Sequence, residues 1–176
     1  MRSLDLIAKM KSTTEFIERA ADTDVAALRR PDGTGLLMAA LGNTDTASRY
    51  ATTHWLFDRG CRPGPPNSEG DTELHVLFAH VKHDISEDVK IATRLIELGA
   101  DVNAVSPRNG LVFCDVLWMK FTDEDLEPIY RLWFDQPVRL DFETPAKHGR
   151  DPLGMARALP YRASILERME NYLRNA

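Results

Sequence analysis

The stretch Ile96–Asn103, IELGADVN, decides the fold. A segment of mixed apolar and charged residues runs into Gly99, and glycine most readily takes the left-handed conformation that closes an α-helix. Upstream, Ile91, Leu95, Ile96 and Leu98 recur at helical spacing with Val89 near the start. Ser86 followed by Glu87 and Asp88 reads as an N-cap with an acidic first turn. The spacing predicts a helix that stops at Gly99, after which Asp101 and Asn103 organise a loop. The same landmark occurs 39 residues earlier, where WLFDRGCRPG holds Gly60 as LIELGADVNA holds Gly99. In LWFDQPVRLD, residues 132–141, Gln136 stands in the glycine's place.

A second landmark alternates with the first. TGLLMAA from Thr34, TELHVLF from Thr72, LVFCDVL from Leu111 and DPLGMAR from Asp151 start 38, 39 and 40 residues apart. Their third residue is always large and apolar: Leu36, Leu74, Phe113 and Leu153. Gly33, Gly70, Gly110 and Gly149 precede them. Two landmarks with one period and one order define a repeat of helix, connection, helix and loop. In the second unit Leu74, Leu77 and Phe78 share a face. In the third, Thr122 with Asp125 reads as a capping box, and Phe121 with Leu126 as a hydrophobic staple. That helix passes Pro128 and runs through Ile129, Leu132, Trp133 and Phe134. The fourth unit ends in the stripe Ile165, Leu166, Met169, Tyr172 and Leu173, expected to be a terminal capping helix. Residues 14–30, TEFIERAADTDVAALRR, are expected to be a helix pair closing the other end.

The fold class expected is therefore all-α, a single domain over 1–176 with units at about 32–68, 69–107, 108–147 and 148–174. Hydrophobic residues make up 43% of the chain and charged residues 28%, which suits a folded protein. The net charge of -5 supplies no global basic field for nucleic acid or anionic lipid. No apolar run is long enough to span a membrane, and MRSLDLIAKMKSTTEF does not read as a signal peptide. Cys61 and Cys114 form no CxxC pair, and a reducing, cytoplasmic setting is expected.

These motifs resemble ankyrin repeats. The family's helix-opening Thr-Pro-Leu-His is matched by Thr72, Leu74 and His75, with Glu73 in the proline's place. Thr34 with Leu36, and Asp151, Pro152 and Leu153, match it in part. Gly99–Asn103 match the loop motif Gly-Ala-Asp-Val-Asn in full, and the resemblance covers roughly 14–174. It implies stacked helix pairs with turns projecting at one edge, and an architectural role for His75. The period departs from the family's, at 38–40 residues against about 33. The excess falls between the helices of a pair, near LGNTDTASRY and AHVKHDISED. It is either tolerated loop length or a partner-specific rim.

The function expected is a non-enzymatic, cofactor-free, protein-binding scaffold. The turn residues Asp32, Glu69, Asp71, Arg108, Asn109, His148 and Arg150, and the loop residues Asp45, His80 and His83, are its candidate binding positions. Trp118 joins them as a candidate interface aromatic. Trp55 and Trp133, flanked by apolar neighbours, read as core. From Lys120 to Glu143 seven acids stand against three bases, an acidic face suited to a basic partner. Lys147, Arg150, Arg157, Arg162, Arg168 and Arg174 make the last unit basic. Small ankyrin-like proteins resemble bacterial accessory proteins, some of which neutralise toxins, so a toxin partner is one extension of the resemblance. Two alternatives stay open. One is a metal-dependent enzyme using His75, His80, His83 and Asp84, although no HExxH or paired cysteine supports zinc. The other is a self-associating structural module.

Overall fold

A computed structural model describes residues 3–146, 148–149 and 151–175, so the expectations for Lys147 and Arg150 lie outside the described residues. The chain is all-α. Its helices are α1 (Leu4–Met10), α2 (Thr13–Ala20), α3 (Leu36–Leu41), α4 (Thr46–Asp58), α5 (Glu73–Phe78), α6 (Ile85–Glu97), α7 (Val112–Trp118), α8 (Asp123–Phe134), α9 (Pro152–Ala158) and α10 (Ala163–Asn175). A 3-10 turn, Pro160–Arg162, leads into α10. One short antiparallel pair, β1 (Val105–Ser106) and β2 (Gly110–Leu111), precedes α7.

Alternate helices pack together. α1, α3, α5, α7 and α9 each contact the next, as do α2, α4, α6, α8 and α10. The first set is too short to be stable alone, and burial compensates. Every residue of α3 is buried, and so are Leu74, Leu77 and Phe78 of α5 and Phe113, Val116 and Leu117 of α7. The residues between the two layers form one continuous apolar core from Ile7 to Met169.

The spacing seen in the sequence reappears in the backbone. The N-caps of α3, α5, α7 and α9 are Gly35, Thr72, Leu111 and Asp151. The first falls one residue beyond Thr34, because Thr34 is held by the preceding turn. Its hydroxyl donates to Asp32 Oδ1 at 2.7 Å and its carbonyl accepts Arg30 N at 2.8 Å. The turns repeat as well: the amides of Gly33, Gly70 and Gly149 each donate 2.8–2.9 Å to the carbonyl three residues before. All six landmark glycines have positive φ. At Gly70 space also matters, since a Cβ there would lie 2.4 Å from Cδ of Pro107 in the next turn.

α4 and α6 end alike. The amides of Gly60 and Gly99 donate to Phe57 and Ile96, and those of Cys61 and Ala100 reach back to Leu56 and Leu95. This double bond pattern is the glycine-dependent helix stop. Two boundaries differ from the sequence expectation. Asp84, not Ser86, caps α6: its carboxylate accepts Glu87 N at 3.2 Å, and a charged acceptor competes well at a helix start. The N-terminal helix pair occupies 4–20 rather than 14–30. Around Asp22, Thr23 and Asp24 only isolated turns form, as short polar side chains there compete with helical bonding.

Candidate functional site

At the turn edge the candidate residues are largely joined to one another. Asn109 Nδ2 donates to Asp71 Oδ1 at 2.9 Å, linking two successive turns, and Asp71 is buried. Arg108 and Glu69 form an exposed ion pair at 3.5 Å across the same turns. Asp32 is bound locally, and the Thr34 hydroxyl and amide hold its carboxyl below the ordinary range. His148 is exposed. His75 is fully buried; its Nδ1 accepts from Thr72 N at 3.2 Å while Nε2 donates to Gly110 O at 2.9 Å. Burial holds this imidazole below its ordinary pKa, so it serves as a neutral brace between two units. Asn103 bridges similarly, donating to Arg139 O and accepting Asp141 N.

The opposite edge, where the paired helices connect, carries polar groups of another kind. Arg49 of α4 is fully buried and reaches Lys82 O at 2.5 Å and Tyr50 Oη at 3.3 Å. Tyr50 Oη donates to Asp88 Oδ1 at 2.8 Å and accepts Asp84 N at 2.8 Å. Burial first of all raises the Tyr50 pKa and keeps the phenol a donor. His83 Nδ1 meets Asp88 Oδ2 at 2.7 Å and Nε2 meets His80 O at 2.6 Å. His80 Nε2 donates to Leu41 O at 2.6 Å, as Asn43 Nδ2 donates to Ala8 O at 3.0 Å one unit earlier. Asp45, whose carboxylate takes Ser48 N at 2.8 Å, caps α4.

At the α7–α8 connection Arg162, from the turn before α10, does comparable work. Fully buried, it donates to Leu117 O, Met119 O and Phe121 O at 3.0, 2.6 and 2.9 Å and to Asp123 Oδ1 at 3.0 Å. Tyr130 Oη also donates to Asp123, and burial pushes its pKa far up.

The residues of the alternative metal reading, His75, His80, His83 and Asp84, are divided among separate structural bonds. Among the described residues no group of three or more His, Cys, Asp or Glu could hold a metal ion. The acidic run is also partly committed. Asp123 binds Arg162, Glu127 binds Arg131 and Arg168, Asp125 closes the box with Thr122, and Asp141 holds the turn at Thr144. Trp133 is buried and Trp55 lies half-buried under Arg59, whereas Trp118 is 61% exposed. Sequence reasoning missed Arg49 and Arg162 as organisers. Their one signal is an arginine beside an aromatic at the start of an outer helix, in SRY and PYR.

No family model matches the chain, and no curated protein does. Among solved structures it is similar to the crystal structure of a functionally unknown protein from Leptotrichia buccalis C-1013-b. The TM-score is 0.80 at 22% identity, over 98% of this chain and 93% of that one. At that identity the likeness concerns the fold alone. No helix among the described residues is long and apolar enough to cross a membrane.

Proposed function

We propose that the chain is an ankyrin-like stack of helix pairs acting as a non-enzymatic protein-binding scaffold. Support for the stack comes from four helix starts and matching turns at one spacing, and from helices that pack on their neighbours in chain order. Support for binding comes from one observation above others. Met10, Val81, Trp118 and Tyr161, exposed by 64, 83, 61 and 58%, lie in or next to four of the five connections between paired helices, the α3–α4 connection being the exception. Apolar side chains repeated along one edge mark a contact surface. The turn edge, with Glu69, Arg108 and His148, offers a second, polar one.

The test is partner capture from native extract with three forms of the chain. One is wild type, one carries joint substitutions at Glu69, Arg108 and His148, and one carries Val81→Ser with Trp118→Ala. A partner retained by wild type and lost by one edge variant supports the scaffold. A partner bound equally by all three counts against it. Toxin neutralisation is one form of this reading, tested by whether the partner is toxic when expressed alone. Sedimentation of the isolated chain tests the competing structural module, which requires a stable homo-oligomer.

A further inference from the structure

We infer that Asn109–Gly110 is a site of spontaneous deamidation, held in check by Asp71, and that its conversion opens the junction between the second and third units. This does not depend on the chain binding a partner.

The chemistry begins in the sequence. Asparagine is a chemically labile residue, and of the six in the chain only Asn109 precedes glycine. Glycine has no Cβ to obstruct the approach of its own amide nitrogen to the preceding side chain. In the reaction the Gly110 nitrogen gives its proton to solvent base and bonds to Asn109 Cγ. The Cγ–Nδ2 bond breaks, and Nδ2 leaves as ammonia with a proton from water. The resulting imide takes up one water. Cleavage between its nitrogen and Cγ leaves aspartate. Cleavage between its nitrogen and the main-chain carbonyl leaves isoaspartate, with one extra methylene in the main chain. One water enters and one ammonia departs.

Asp32, Glu69, Asn109 and His148 hold the same turn place in the four units, each before a glycine of positive φ. An acid suits that place where its partner is a hydroxyl, as Asp32 shows with Thr34. Asn109 faces a carboxylate instead. Its Nδ2 donates to Asp71 Oδ1 at 2.9 Å, and Asp71 is buried while Asn109 is partly exposed to water. The bond slows the reaction in three ways. It ties the side chain to the neighbouring turn. Donation to a carboxylate enriches the amide in electrons and makes Cγ a poorer electrophile. The Asp71 charge also opposes the anion that forms as Gly110 N attacks.

Once ammonia has left, the same contact works against the fold. Two carboxylates then stand where a donor met an acceptor, and like charges repel at that separation. In isoaspartate the added methylene displaces Gly110, which pairs with Ser106 and whose carbonyl takes His75 Nε2 at 2.9 Å. Leu111, the N-cap of α7, follows directly. The link between the turns and the imidazole brace are disturbed together.

The experiment ages the full chain in mildly alkaline buffer, folded and in urea, as wild type, Asp71→Ala and Asp71→Asn. Mass spectrometry follows the exchange of NH2 for OH at each asparagine. Folded wild type is expected to convert at Asn109 more slowly than the unfolded chain. Folded Asp71→Ala should convert about fivefold faster than folded wild type, the factor set by the net worth of one hydrogen bond. Should that variant fail to fold, Asp71→Asn, which keeps an acceptor without its charge, should still outpace folded wild type. Equal rates in folded and unfolded wild type overturn the role of Asp71. So does a folded Asp71 variant no faster than wild type, or a difference that persists in urea. Another asparagine converting ahead of Asn109 overturns the site. Aged wild type and Asn109→Asp should both lose urea midpoint, with faster amide exchange in α5 and α7. Midpoints equal to that of fresh wild type overturn the effect on the junction.

Discussion

Gln136 Nε2 donates to the Leu132 carbonyl at 2.7 Å, supplying from a side chain the bond that α4 and α6 make with a main-chain amide. The reason is the next residue. After Gly60 and Gly99 come Cys61 and Ala100, whose N–H groups reach back to Leu56 and Leu95. After Gln136 comes Pro137, which has no N–H. Removing the donor in Gln136→Leu should cost about 1 kcal/mol, the net worth of one hydrogen bond. Gln136→Gly alone should not recover it, whereas Gln136→Gly with Pro137→Ala should. Urea midpoints of the three variants decide the matter. A single glycine variant as stable as the double one would refute this account of the helix end.

The two cross-turn pairs should differ in worth. Asp71–Asn109 is partly buried at 2.9 Å, while Arg108–Glu69 is exposed at 3.5 Å. A double-mutant cycle with alanines is expected to give about 1 kcal/mol of coupling for the first. For the second it should give about 0–0.5 kcal/mol, because solvent screens an exposed pair. If the exposed pair couples more strongly, the turns are held by charge rather than by the buried amide.

How much of this was legible beforehand follows from which forces act locally. Glycines such as Gly99 and capping residues such as Thr122 control one helix end each, so their meaning is readable from a few neighbours. The unit spacing was readable for the same reason. Asp84 was passed over for Ser86 because two good caps stood two residues apart and sequence gives no measure of their competition. α1 escaped notice because seven residues carry little periodicity, and it is stabilised by packing on α3. Arg49 and Arg162 were invisible as organisers, since their carbonyl partners are brought to them only by stacking. The candidate binding residues fared accordingly. Position along the turn was readable for Asp71 and Asn109, but that they bind each other was not.

Glu73 offers a way to raise stability. It stands where the resembled family places proline, is fully buried, and accepts Gly64 N at 3.0 Å. Burial raises its carboxyl pKa above the ordinary value of 4.5. The folded state therefore favours the protonated form, and a penalty develops as pH rises from the unfolded value through the folded one. Glu73→Gln keeps an acceptor for Gly64 and has no charge to bury. Its melting temperature at pH 7 should exceed wild type by roughly 2–4 °C, the shift that about 1 kcal/mol gives a chain of this size. Near pH 4 the gain should shrink. An equal gain at both values would assign the effect to packing.

His75 predicts the opposite slope. Burial lowers its pKa below 6.5, and His80 is lowered by burial as well. Below about pH 6.5 the unfolded chain binds protons that the folded chain refuses, so stability present above that pH is lost as pH falls through it. The urea midpoint should hold from pH 8 to 7 and decline from about 7 to 5. His75→Gln should be weaker at pH 7 by about 1–3 kcal/mol, since it disturbs the bonds to both Thr72 and Gly110. It should also lose less between pH 7 and 5 than wild type does, because one refusing imidazole is gone. Parallel declines in the two proteins would show that His75 is not a source of the slope, and would shift attention to His80 at the opposite edge.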